Sequence, residues 1–178
     1  MRPTRRDEVV AGAWAFAEAT LFFVIPDVWL TWVATADRAT VRKLVRCVAI
    51  GTAMAATGGV FVIVAGLGPL TELVPGITIE DWWSVQQRVR REGMISVTTA
   101  WTRGEPYKLY ASACGMQGCP VGQFMAWSVV ARGWRFGLTT SIAFGVARLV
   151  RMQEASRVLW AVVWISIYTV YWWKHPLW

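Results

Sequence analysis

Residues 121–147 carry no charge except two arginines near the middle, Arg132 and Arg135. They are three apart, so on a helix they share one face. A helix of this length crosses a bilayer, for which roughly 20 apolar residues suffice. The pair would then lie near the midplane, where a charge costs at least about 2.5–3.5 kcal/mol. A chain keeps such residues when something anionic inside the protein pairs with them. An acidic side chain, a substrate phosphate, or each in turn meets that need.

The composition agrees with a membrane setting. Of 178 residues, 56% are hydrophobic and 16% charged, and thirteen are tryptophan. Mean hydropathy is +0.41. Many tryptophans lie near expected span ends, where indole suits the headgroup region. The net charge of +7 reads as cationic loops beside anionic lipid, so no nucleic-acid partner is expected. The apolar run after Arg2, Arg5 and Arg6 lacks a small-residue cleavage site, so a cleavable signal peptide is not expected. Cys47, Cys114 and Cys119 do not make a disulfide framework. Cys114 and Cys119 read as small packing residues, with a disulfide between them as the alternative. CxxC pairs are absent and His175 is the only histidine, so neither a metal nor a cofactor is expected.

The expected fold is all-α and polytopic, in one membrane domain spanning 1–178. Segment 9–36 holds only Glu18 and Asp27 as charges. As one straight helix it would be about 42 Å long, against a core of about 30 Å. Pro26 also interrupts it. Neither half is long enough to span, which predicts a re-entrant hairpin; one long tilted helix kinked at Pro26 is the alternative. Arg38, Arg42, Lys43 and Arg46 follow, putting both ends on the cytoplasmic side. Segment 47–67 is expected to cross outward, with Gly51, Gly58, Gly59 and Gly66 allowing close packing. Gly68, Pro69, Pro75 and Gly76 mark a loop. Segment 79–92 reads as an amphipathic surface helix.

Segment 93–120 reads as a second re-entrant hairpin, broken at Gly104 and Pro106 and turned again near Gly115, Gly118 and Pro120. Segment 121–147 returns to the side marked by Arg148, Arg151 and Arg157, and 158–173 crosses last. Hairpin plus span thus occurs twice in opposite orientation, with one helix appended, the inverted-repeat plan of secondary transporters. The charges inside this frame are few: Glu18, Asp27, Arg103, Glu105, Lys108, Arg132 and Arg135. One reading is a phosphate site built from Arg132, Arg135, Arg103 and Lys108, with Glu18, Asp27 and Glu105 as counter-ions or proton carriers. Arginine suits phosphate through its planar fork of donors. The other reading is a set of fixed salt bridges that hold the hairpins together. Tyr107 and Tyr110 read as packing or interface anchors. No nucleophile–base pair, P-loop or dinucleotide fingerprint is present, so no enzymatic activity is expected.

The segment from Gly104 through Pro106, Tyr107 and Lys108 to Gly115, then Phe124 and Arg132-Gly-Trp-Arg-Phe136, resembles the DedA family (VTT or SNARE-associated domain), in its short bacterial branch. Upstream, Glu18 and Ile25-Pro26-Asp27 resemble that family's acidic residue and proline-containing first hairpin. The family's usual Pro-x-Pro-Ser-Glu is Val24-Ile-Pro-Asp27 here. The resemblance covers roughly 15–148. It implies paired re-entrant hairpins in the cytoplasmic membrane. It also implies translocation of phosphate-bearing lipid such as undecaprenyl phosphate, with coupling to a proton or ion gradient. A non-transporting scaffold or assembly factor is the alternative. The expected partner is a membrane lipid, and a homo-oligomer is left open.

Overall fold

The computed structural model describes residues 3–22, 24–66, 77–150 and 153–174. Arg2, Leu67, the loop residues Gly68, Pro69, Pro75 and Gly76, Arg151 and His175 lie outside them. The described residues are helical throughout, without a strand: α1 (Pro3–Thr20), α2 (Asp27–Ala34), α3 (Val41–Val64), α4 (Ile79–Glu92), a 3-10 helix (Gly93–Thr99), α5 (Ala100–Arg103), α6 (Tyr107–Gln117), α7 (Val121–Val150) and α8 (Gln153–Lys174).

One described helix, α3, is long and apolar enough to cross a membrane, with 24 residues and a mean hydropathy of 2.1 over its best window. At about 1.5 Å per residue α7 and α8 are also long enough. Their arginines, indoles, hydroxyls and glycines make them less apolar than α3.

α1 and α3 run parallel, starting at the same end. There Lys43 Nζ lies 2.5 Å from Asp7 Oδ2, and Arg46 lies 3.8 Å from Glu8. α1 ends at Thr20 and α2 begins at Asp27. Pro26 is the N-cap of α2, because its fixed φ suits the start of a helix and its missing N–H is not needed there. α2 then leads back along α1, where Trp29 donates to the Asp7 carbonyl and stacks on Trp14. The chain is therefore broken near Pro26, and a single kinked helix is excluded. The break sits slightly upstream of Pro26, which opens the second arm.

The second half breaks in the same manner. α4 opens with a capping box of Thr78 and Asp81 and keeps the expected 79–92 limits. It does not lie free on a surface: Trp82, Val85, Gln86 and Val89 form a buried face, and Gln117 donates from α6 to Gln86. The 3-10 helix and α5 follow, and Gly104 ends α5 at φ 73°. That left-handed conformation suits glycine, which has no Cβ to clash. Pro106 is the N-cap of α6. Gly115, expected as a hinge, lies inside α6 facing the Ile63 backbone of α3, where a Cβ would make ordinary contact at 3.4 Å. Gly118, at φ 66°, ends the helix instead.

α6 sits in the middle of the bundle, with every residue from Tyr107 to Cys114 buried. α3 and α4 pack closest against it, α7 meets Tyr107 at its start, and α8 lies outside, mostly exposed. Two glycines of α3 make this packing possible. A Cβ at Gly58 would stand 2.9 Å from Ala19 Cβ, and one at Gly59 would stand 2.5 Å from Tyr107 Oη and 2.7 Å from Phe124. Gly59→Ala should therefore push Tyr107 out of place and destabilise the protein by about 1–3 kcal/mol. Thermal unfolding in detergent checks this; an unchanged midpoint would show that the α3–α6 approach is looser than described.

Candidate functional site

Two breaks in regular helix converge on one cavity. The turn before α2 contributes Ile25 and Asp27, the end of α1 contributes Glu18, and the turn before α6 contributes Gly104–Lys108. Arg135 and Thr139 come from α7, and Trp164, Tyr168 and Tyr171 come from α8. The cavity holds about 420 Å³. The first turns of α2 and α6 both reach it, and a helix N-terminus carries partial positive charge from its unpaired N–H groups.

The two arginines have different surroundings. Arg132 is 2% exposed. Its Nη2 lies 3.1 Å from Glu18 Oε1 and 2.9 Å from Oε2. Its guanidinium carbon lies over Tyr107, 4.0 Å from the ring centroid, where the ring face attracts a cation. Tyr107 Oη in turn donates to Ser128 Oγ at 2.7 Å. Arg132 Nε and Nη1 have no hydrogen-bond partner. They adjoin a second, small void of about 20 Å³ that Arg135 and Glu105 also line. Arg135 is less enclosed, with 17% of its side chain exposed, and its Nη2 donates to Asp27 Oδ2 at 2.7 Å. Asp27 Oδ1 has no partner.

Lys108, on α6, is 1% exposed. Its Nζ donates to the Phe22 carbonyl at 2.7 Å, and it forms no ion pair among the described residues. Glu18, Asp27, Arg132, Arg135 and Lys108 thus gather two carboxylates and three cations, one positive charge in excess. Each arginine has one carboxylate, and the lysine has only a carbonyl dipole.

Two expected members stand elsewhere. Arg103 is exposed and donates from Nη1 to Thr99 Oγ1 at 2.9 Å. It ends α5 and folds back on its own helix, so it does not join the cluster. Glu105 lines the cavity, but it pairs with Arg88 of α4 at 2.9 Å and accepts from Tyr110. It is the counter-ion of Arg88, not of the arginines on α7. Gly104 and Pro106 shape the turn that presents Lys108, and Gly115 has no part in it.

The sequence reading overlooked Tyr168. Its hydroxyl accepts from the Ile25 N–H at 2.8 Å and so ties α8 to the first turn. Trp164, one helical turn earlier, donates to Thr31 at 2.9 Å. The signal was two polar-tipped aromatics spaced i, i+4 on one face of the last helix. Cys114 and Cys119 are free thiols. No family model matches the chain, and neither a curated protein nor a solved structure matches it.

The two ion pairs should respond differently to truncation. Arg132→Ala leaves Glu18 buried without its guanidinium and should cost about 3–5 kcal/mol. Arg135→Ala should cost less, since Arg135 is itself 17% exposed and the buried Asp27 carboxylate keeps the N-terminus of α2. Unfolding midpoints of both variants in detergent test the ranking. Equal losses, or a larger one for Arg135→Ala, would reverse the assignment of anchor and exposed partner.

Proposed function

We propose that the chain is a multi-pass protein of the cytoplasmic membrane that moves a phosphate-bearing lipid headgroup across the bilayer. The observation that carries this reading is the cavity between the two broken-helix turns, where Arg135 and Lys108 stand beside Glu18, Asp27 and the Arg88-paired Glu105. In this reading α1–α2 and the segment from the 3-10 helix to α6 dip into the membrane from opposite faces, while α3, α7 and α8 cross it. The basic residues favour that arrangement. Arg148 donates to the Ala39 carbonyl at 3.2 Å, so the end of α7 meets the start of α3, where Arg38, Arg42, Lys43 and Arg46 also lie. One end of the bundle is thereby strongly cationic, as a cytoplasmic face is.

The chemistry follows from the pairs. A phosphate entering the cavity competes with Asp27 for Arg135, whose planar fork can hold two phosphate oxygens. Lys108 adds a second, compact cation. Arg132 stays on Glu18 and Tyr107 and fixes the floor. Asp27, once released, is the group placed to take up a proton, which would couple transport to pH. The lipid tails remain in the bilayer while the headgroup crosses. The resemblance to the DedA family points to the same activity.

A second reading is a non-transporting scaffold. The observation favouring it is that both arginines already have carboxylate partners, as fixed structural bridges would. Transport and scaffold differ in what Arg135 does.

Translocation should be measured as headgroup accessibility in proteoliposomes holding a polyprenyl phosphate or an anionic phospholipid. Arg135→Ala should lower the rate at least about tenfold, the scale of one lost charge-assisted contact, with folded yield unchanged. Arg135→Lys should recover part of it. Wild-type rates in Arg135→Ala would remove the site, and no translocation by the wild type for either lipid would favour the scaffold. Topology has its own check. With the natural cysteines replaced, Arg5→Cys and Thr40→Cys should react with an impermeant reagent from the same side. Reaction from opposite sides would end the re-entrant assignment of the first hairpin.

A further inference from the structure

α7 carries a second pattern, away from the cavity. Gly133, Gly137, Ser141 and Gly145 follow one another at four-residue spacing. They floor an apolar groove of about 540 Å³ between α3 and α7, walled on the α3 side by Leu44, Val45 and Val48. A Cβ on Gly137 or Gly145 would meet nothing within 4 Å, and one on Gly133 would only touch Thr52, at 3.7 Å. No neighbour in the chain therefore requires glycine at these three positions. The row extends over twelve residues, about 18 Å of helix.

Two hydroxyls face this groove without a partner. Thr52 is 5% exposed and Thr140 is 3% exposed. Both line the groove, and neither Oγ1 has a hydrogen-bond partner. Buried hydroxyls are ordinarily satisfied. A hydrocarbon tail offers them nothing, whereas a helix brings carbonyls and polar side chains.

Beside the groove, α7 presents the shape that would fill it. Trp134, Leu138, Ile142 and Val146 occupy the adjoining four-residue row. Trp134 is 65% exposed, and Leu138 and Ile142 are also exposed. A ridge and a groove of equal pitch thus lie side by side on one helix. Interlocking of four-residue ridges with four-residue grooves is a common mode of helix packing, and small residues at that spacing let helices approach closely in lipid. Because the same helix supplies both parts, a two-fold axis satisfies both at once, as an isologous interface requires.

We propose that this face binds a second copy of the chain, the α7 ridge of each protomer seated in the α3–α7 groove of the other. The inference rests on the chain residing in a membrane and not on its transporting lipid. The dimer leaves the cavity untouched, because the groove shares no residue with it.

The full chain in lipid nanodiscs or dilute detergent, weighed by native mass spectrometry and sedimentation, should be twice the 20.0 kDa chain. Gly137→Leu fills the groove and should weaken association about tenfold or more. Gly122→Leu, at an α7 glycine with equally open surroundings but outside the groove, should leave it unchanged. If Gly137→Leu does not fold, Trp134→Ala truncates the ridge instead and should weaken the dimer by itself. A monomer at every concentration overturns the proposal, as does a dimer indifferent to both variants. A monomer holding a lipid that Gly137→Leu displaces also overturns it and makes the groove an acyl-chain slot. Headgroup translocation is read separately, so failure of the dimer and failure of transport are told apart.

Discussion

The ion pair between Arg132 and Glu18 is the interaction around which the rest is arranged. A buried guanidinium is tolerated only with a counter-charge beside it. Here the counter-charge comes from α1, a ring face from Tyr107 on α6, and the arginine from α7. Three elements far apart in sequence must meet for that charge to be compensated. Gly58 and Gly59 of α3 let them come close enough, so glycines remote from any charge decide whether the pair can exist. The Tyr107–Ser128 hydrogen bond then fixes the ring on which the guanidinium lies.

Arg135, one turn further along the same face, has other surroundings. Its partner Asp27 begins a short helix after a break, beside open space. Two arginines that look equivalent in the sequence thus differ in enclosure. One is clamped from three sides, and the other has room to change partners. That division suits a site that must hold its shape while one of its members moves.

Much of this was legible in the sequence. Pro26, Gly104 and Pro106 announced the breaks, and the few charges within apolar stretches announced the cluster. The capping residues Thr78 and Asp81 frame α4 at its expected limits. Other features lacked a local signal. Arg103 and Arg88 look alike in composition, and only the fold of α4 against α6 decides which one meets Glu105. Gly115 resembled a turn, yet it lies inside α6, and Gly118 ends that helix. α1 begins at Pro3, earlier than the apolar run, because proline suits a first helical position and its early charges pair with α3. α8 read as a plain span, since nothing in it named Ile25 or Thr31 as partners.

The seven-residue 3-10 helix from Gly93 to Thr99 has a further consequence. Such helices rarely run beyond three or four residues, because their hydrogen bonds are poorly aligned. Gly93 opens it at φ 72°, so the 3-10 winding is carried by the residues after it. Each residue rises about 2.0 Å in a 3-10 helix and about 1.5 Å in an α-helix. Rewinding five or six residues would shorten the arm leading to Gly104 by about 2.5–3 Å. That is the scale of the 2.7 Å hydrogen bond by which Lys108, just past that turn, holds the Phe22 carbonyl.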